Sequence, residues 1–295
     1  MTVKSQVYLV STDSRSAGAR RCLDYLGKPD YTGKKVFVKP NFNTADICPG
    51  STHNETLEAL LLGLKEGNPL TLTVGDRSGP ADTAEVLRKK GVDALCARLG
   101  VGLVNFEALK PEDWITISRP DLHWPGGLQF PKIVAEAEAV VTTCCLKTHG
   151  FGGVFSMSLK LGVGFTPKDF HKLHGSLDMR KMIAEINLAY TPDFILMDGI
   201  DVFTDGGPMD GRRASAKVML AGRDRIAIDA VGLAVLKQLG SNSAIMETPI
   251  FEQEQIKRAV ELGLGVSGPD QIEIVTDDPV SEEAADKLRA ILRAE

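Results

Sequence analysis

Five cysteines in 295 residues, none of them in a C-x-x-C pair, leave this sequence without the material for a disulfide framework or a self-contained ferredoxin-type cluster site. No apolar run approaches the roughly 18 residues that a membrane-spanning helix needs. Basic residues are in deficit, with 34 Lys and Arg against 39 Asp and Glu and a net charge of −5. A general nucleic-acid binder would show the opposite balance, so no nucleic acid is expected as a partner. The opening MTVKSQVYLV has no signal-peptide apolar region and no small-residue cleavage site. A cytoplasmic protein without a membrane partner is therefore expected. Internal repeats and low-complexity tracts are lacking too. So are a Walker A loop, a G-x-G-x-x-G turn, an H-E-x-x-H helix and EF-hand spacing.

What is present is an ordinary globular composition, 43% hydrophobic and 25% charged, with ample material for a core. Short β-branched runs such as QVYLV, KKVFVK, PLTLTV, GLVNF, AVVTTCC, DFILM and AKVML alternate with amphipathic stretches. The stretch from Arg15 to Leu26 reads as a helix. So does the one ending near Glu66, whose Leu57, Leu60, Leu61 and Leu64 fall at helical spacing. Strand–helix alternation predicts an α/β fold with a mainly parallel, doubly wound sheet and helices on both faces. The turn-rich region 109–131 reads as a small hairpin insertion. The whole is expected as a single α/β unit, with an N-terminal half over 1–108 and a C-terminal half over 132–295.

Ligands of parallel sheets bind outside the carboxyl ends of the strands, and several strands here end in polar groups. Lys39 and Asn41 close the second strand, Asp76 the third, and Lys147 and His149 follow AVVTTCC; Asp198 and Asp201 come at the end of FILM. Lys147, His149 and the glycines Gly150, Gly152 and Gly153 suggest an anion held by side chains and exposed N–H groups together. Lys160 adds a cation on the amphipathic segment that follows. His149 is the candidate general acid–base, with Asp198 or Asp201 as its orienter or as a metal ligand. His171 and His174, three apart, would share a helix face and could place two imidazoles on a divalent metal. As a last helical turn before Gly175, they equally suit the helix dipole. Cys144 and Cys145 read as core residues at a strand end. Asp224 reads as a helix cap, while Asp229, inside an apolar helix, must have a partner if buried.

The pieces VKPNF, LKTHG followed by SLKLGVGF, FHKLHGS, DGIDVFTDGGPMDG and VMLAGRDRIAIDAVG resemble, in that order and spacing, domain-of-unknown-function family 362 over most of the chain. The resemblance implies a shared α/β core with a pocket, and names no reaction. Relatives in that family are associated with iron–sulfur clusters through additional ferredoxin-like cysteine motifs. This chain carries no such motif, so an iron–sulfur cluster is not expected from it alone. Where relatives often have K-N-x-x-G, this sequence has Lys160, Leu161 and Gly162, without the amide.

Three readings of function follow. The first is an enzyme acting on a small anionic substrate or cofactor, with Lys39, Asn41, Lys147 and Lys160 as anion contacts. The second is an accessory or redox protein that binds a metal or cofactor through His149, His171, His174 and Cys144 or Cys145. The third is a small-molecule binder without catalysis. The cofactor and the oligomeric state are not named by the sequence.

Overall fold

The computed structural model describes residues 4–25, 27 and 30–295, apart from the side chains of Phe170 and His171. The predicted helix end at Leu26 lies outside the described residues. Strands β1 (Ser5–Ser11), β2 (Lys35–Lys39), β3 (Thr71–Asp76) and β4 (Gly102–Asn105) come first. A two-stranded excursion follows, β5 (Trp114–Ile117) and β6 (Leu128–Pro131). The chain then returns through β7 (Ala139–His149), β8 (Val154–Ser156), β9 (Phe194–Gly206), β10 (Gly211–Gly222) and β11 (Ile272–Val275). The main sheet runs in the order β11-β1-β10-β9-β7-β2-β3-β4, with β8 paired to the end of β7. The strands β9, β7, β2, β3 and β4 are parallel, as are β1 and β11, while β10 is antiparallel to both of its neighbours. The fold is thus α/β with a mainly parallel, mixed sheet. The antiparallel pair β5–β6 in 109–131 is the small separate hairpin.

Helices cover both faces because successive strand residues point to opposite sides. Val7, Leu9, Ile195, Met197, Val218 and Leu220 face one core, filled by the helices Arg225–Leu239, Glu254–Glu261 and Pro279–Ala294. Tyr8, Val10, Leu196, Met219 and Ala221 face the other, filled by Arg15–Tyr25, Asn54–Lys65, Thr83–Lys89 and Val92–Leu99. β1 pairs with β10 and β11, so strands from 1–108 and 132–295 interleave in one sheet. No helix among the described residues is long and apolar enough to cross a membrane.

Two departures from the sequence reading have clear causes. The glycine-rich stretch from Thr204 to Arg213 reads as a long loop, yet β9 and β10 run almost through it as a hairpin with Gly206 opposite Gly211. Gly206 and Gly207 take the positive φ values of 74° and 77° that this tight return requires. The region from Val154 to Ala189 reads as helical with a break at Gly162 to Pro167, yet Val154–Ser156 pairs with the end of β7 before the helix Ser158–Leu161 begins. A three-residue strand is too short to leave a period-2 signature.

The two acidic residues of the long buried helix divide their work. Asp224 caps it, its carboxylate accepting from the N–H groups of Ile226 and Ala227 at 2.8 and 3.0 Å. Asp229, fully buried, reaches across to the next element. It accepts from the N–H groups of Ser158 and Leu159 at 2.7 and 2.9 Å, and so anchors the short helix that carries Lys160. Burial pushes its pKa up to about 7, with the two N–H groups acting in the opposite sense. Replacing Asp229 by Ala leaves two buried N–H groups unpaired, a penalty of about 1–3 kcal/mol each. Urea unfolding should show Asp229→Ala destabilised by at least about 2 kcal/mol, with Asp229→Asn, which keeps one acceptor, losing less. Equal stability of Asp229→Ala and wild type would remove Asp229 as the anchor.

Candidate functional site

Strand order reverses between β2 and β7: from β2 the chain moves outward through β3 and β4, then returns to β7 on the other side. A crevice at the carboxyl ends of parallel strands opens at such a reversal, and here it is lined by the polar strand ends. Lys39 ends β2 and Asp76 ends β3, with Lys39 Nζ 2.6 Å from Asp76 Oδ1 and both residues nearly inaccessible at 1% and 2%. Burial lowers the Lys39 pKa, and Asp76 opposes that shift. The carboxylate is further held by the N–H groups of Phe42 and Arg77, each at 2.6 Å. Lys39 Nζ also donates to the carbonyl of Pro40 at 2.7 Å.

Over this pair lies the turn Gly162–Phe165. It comes so close that a Cβ on Gly164 would sit 2.6 Å from both Lys39 Nζ and Asp76 Oδ1. Arg77, buried beside the pair, binds the same turn with donations to the carbonyls of Val163 at 2.6 Å and Thr166 at 2.9 Å. The Phe165 ring packs against Phe130 of the hairpin insertion at 5.1 Å between centroids, so the 109–131 excursion supports the turn from behind.

The other wall comes from β7. Its end carries His149, and the return strand β8 leads into the helix Ser158–Leu161 with Lys160. The hairpin folds these two residues onto each other. A Cβ on Gly153 would lie 2.8 Å from Lys160 Cε and 2.9 Å from His149 Nδ1, so the turn has no room for a side chain there. His149 Nδ1 accepts the N–H of Gly153 at 3.3 Å, which leaves the ring proton on Nε2. The His149 and His174 rings lie nearly parallel, 6.2 Å apart. Burial, with Lys160 and His174 adding to it, drives the His149 pKa far below the usual imidazole range. Burial and Lys160 lower that of His174 as well. Both rings are neutral at physiological pH.

Lys160 is the outlier. It is 6% exposed, and its ammonium has no hydrogen-bond or ion-pair partner among the described residues. Burial, Lys147 and Arg77 together bring its pKa down to about 7. The hollow it faces has two connected parts. The inner one, of about 50 Å³, is walled by Lys39, Asn41, Asp76, Lys160 and Gly164; the outer, of about 560 Å³, by Pro80, Phe151, His174, Pro208 and Met209. Asn43, Arg77, Gly79, His149, Lys160, Val163 and Pro208 line both. Asp76 is the sole carboxylate on either wall among the described residues, and Lys39 already neutralises it.

Of the residues singled out from the sequence, Lys39, Asn41, Asp76, His149, Lys160 and His174 meet at this hollow. The others do different work. Lys147 Nζ donates to the carbonyls of Gly50 and Pro208 at 2.5 and 3.1 Å, so it clamps two loops instead of facing the hollow. Gly150 donates its N–H to Gly207 at 3.0 Å and Gly153 to His149. Those N–H groups are committed inside the protein, and the turn, with Gly152 at φ 79°, presents Phe151 instead. Asp198 binds Arg15 at 2.9 Å and Thr56 at 2.8 Å, and Asp201 binds Arg15 at 2.6 Å. Neither carboxylate orients His149, whose Nδ1 is taken by Gly153. Cys144 faces the core, and Cys145 accepts from Asn41 at 3.8 Å. No group of three metal-ligating side chains exists among the described residues, and the His171 side chain lies outside them.

Arg77 and Asn43 are the residues that sequence reasoning passed over. Arg77 follows Asp76 directly, so a strand-end dipeptide was the available signal. Asn43 Nδ2 is buried without a hydrogen-bond partner among the described residues, beside the hollow. A loop asparagine carries no such mark in sequence.

The family model described as domain of unknown function DUF362 matches residues 36–234. The chain belongs to that family. Every residue of the hollow lies within the matched stretch, so the site sits in the DUF362 core. The chain is also similar to a thylakoid-associated protein of Synechocystis sp., 27% identical over 252 residues, which span 80% of this chain and 73% of that protein. Among solved structures it is similar to the lactate racemase apoprotein of Thermoanaerobacterium thermosaccharolyticum. That match has 15% identity and a TM-score of 0.47, covering 97% of this chain and 86% of the other. A protein from Thermotoga maritima matches with the same identity and TM-score, over 76% of this chain and 56% of its own.

A lysine whose pKa is lower in the folded protein than in the unfolded chain destabilises the fold as pH falls from the unfolded value through the folded one. For Lys160 that window runs from about 10.5 down to about 7. Lys160→Met should therefore be more stable than wild type at pH 6, by on the order of a few kcal/mol, with the gap closing towards pH 10. Urea midpoints at the two pH values check this; a gap independent of pH would contradict an unpaired buried ammonium.

Proposed function

We propose that the hollow binds a small anion and that the protein is an enzyme acting on it, with Lys160 as the group that exchanges a proton. The observation that carries this reading is the Lys160 ammonium, without a partner among the described residues and buried next to Arg77 in a hollow whose only carboxylate among those residues is already neutralised. An ammonium without an ion-pair partner among the described residues, buried beside the Arg77 guanidinium, calls for an anionic ligand, because desolvated charge is costly unless paired. The unpaired Asn43 amide adds a donor at the same wall.

Acid–base work suits Lys160 better than His149. A general acid–base group is most effective with a pKa near the operating pH, and Lys160 sits at about 7. His149, held far below that, acts as a neutral donor through Nε2–H that polarises an oxygen of the bound anion. Arg77, fixed by the Gly162–Phe165 turn, supplies permanent positive charge. Asp76 and Lys39 form the rigid floor. Proton transfer to or from a small organic anion is the reaction class this set supports. Five buried free thiols accord with a reducing compartment such as the cytoplasm.

Sulfate keeps its charge across the relevant range, so it isolates the titration of the protein. Calorimetric titration with sulfate should show affinity falling as pH rises from 6 to 8.5, because Lys160 loses its proton through about 7. Lys160→Met should weaken binding about tenfold or more at pH 6 and abolish the pH dependence. Equal affinity for sulfate in wild type and variant would refute the anion site.

A further inference from the structure

The two parts of the hollow differ in chemistry, and that difference speaks to the ligand. The inner part holds about 50 Å³, and its walls are mainly polar, with Lys39, Asn41, Asp76, Arg77 and Lys160 beside the apolar Leu161, Val163 and Pro208. One water needs about 10–15 Å³ of such space, so the inner part has room for a compact oxyanion of a few heavy atoms. The outer part, at about 560 Å³, lies within the usual range for organic ligands, roughly 300–1,000 Å³. Its walls away from the shared base are Pro80, Phe151 and Met209, with the neutral His174 imidazole, and the shared Val163 and Pro208 add apolar surface. No carboxylate lines it among the described residues, and its charged groups, Arg77 and Lys160, stand where it meets the inner part.

Phe151 reinforces the contrast. It is 62% exposed at the mouth, on a turn whose Gly150 and Gly153 N–H groups are engaged within the protein. A large aromatic side chain left in water beside an apolar wall becomes favourable once a ligand covers it. An inorganic ion would fill the inner part and leave this wall wet.

We propose that the ligand is an amphipathic organic anion, with a carboxylate or phosphate head in the inner part and an apolar or aromatic body against Phe151, Pro208 and Met209 in the outer part. The inference rests on the anion reading above and adds the body. Electrostatics at the base set the head; apolar burial along the outer wall sets the rest. Each half alone loses the other's contribution, so recognition requires both. Carboxylate and phosphate heads share the required chemistry.

The test is a matched series titrated into the full-length protein at pH 6.5: acetate against phenylacetate and 4-phenylbutyrate, phosphate against phenyl phosphate, and benzyl alcohol as the neutral control. In at least one head-group series the aryl member should bind at least tenfold tighter than the bare head, while benzyl alcohol shows no binding over the same concentrations. The series with the larger ratio identifies the head. In Phe151→Ser, a substitution at an exposed position, the ratio of aryl to bare affinity should fall at least twofold. Aryl and bare members binding within twofold of each other in both series would overturn the amphipathic ligand and leave the sulfate result standing. Tight binding of benzyl alcohol would overturn it as well. If sulfate itself fails to bind, the anion reading falls first and this inference with it.

Discussion

The buried pair Lys39–Asp76 is the constraint on which the site depends. Two neighbouring parallel strands end in opposite charges, and neither charge could remain in so dry a place without the other. The carboxylate is held from three directions, by the ammonium and by two backbone N–H groups. That arrangement joins the ends of β2 and β3 and fixes the loops that leave them. It also permits the Gly162–Phe165 turn to settle directly on top, where a residue larger than glycine at 164 would collide with both partners. By neutralising its own carboxylate, the pair removes the one anion that could have answered Lys160.

From that point the electrostatics of the hollow follow. Asp229, on the opposite helix, fixes the helix of Lys160 through two N–H groups but does not reach its ammonium. Lys147, close enough to depress the Lys160 pKa, is itself bound to loop carbonyls. Arg77 is held by the carbonyls of the covering turn. Positive charge is therefore positioned by backbone dipoles, and the counter-ion is left to the ligand. Burial, with the neighbouring cations adding to it, keeps His149 neutral, and the Gly153 N–H on Nδ1 leaves Nε2–H as a donor. On the proposed reading, stability given up at Lys160 would be returned by a bound anion, a common trade at functional sites.

The strand ends were legible in the sequence because a parallel sheet exposes its carboxyl edge, and Lys39, Asp76 and His149 stand where β-branched runs stop. The α/β class and the hairpin in 109–131 were legible for the same reason: periodicity and turn residues mark them. The partners of those residues were not. Nothing in a linear pattern distinguishes Lys160, which faces a hollow, from Lys147, which grips two carbonyls from distant loops. The glycines after His149 look like an anion-binding turn until the N–H groups of Gly150 and Gly153 are found hydrogen-bonded within the protein. Asp198 and Asp201 look available until Arg15, more than 180 residues earlier in the chain, is placed against them. Each of these depends on a long-range contact, which local pattern does not encode.

The most direct measurement of the central claim is the pKa of Lys160, followed by NMR of the side-chain carbon next to Nζ in protein carrying ¹³C-labelled lysine and assigned with Lys160→Met. The account predicts one lysine titrating near 7, missing in the variant and moving upward when sulfate is added. A Lys160 signal that titrates near the ordinary lysine value, about 10.4, with or without sulfate, would contradict it.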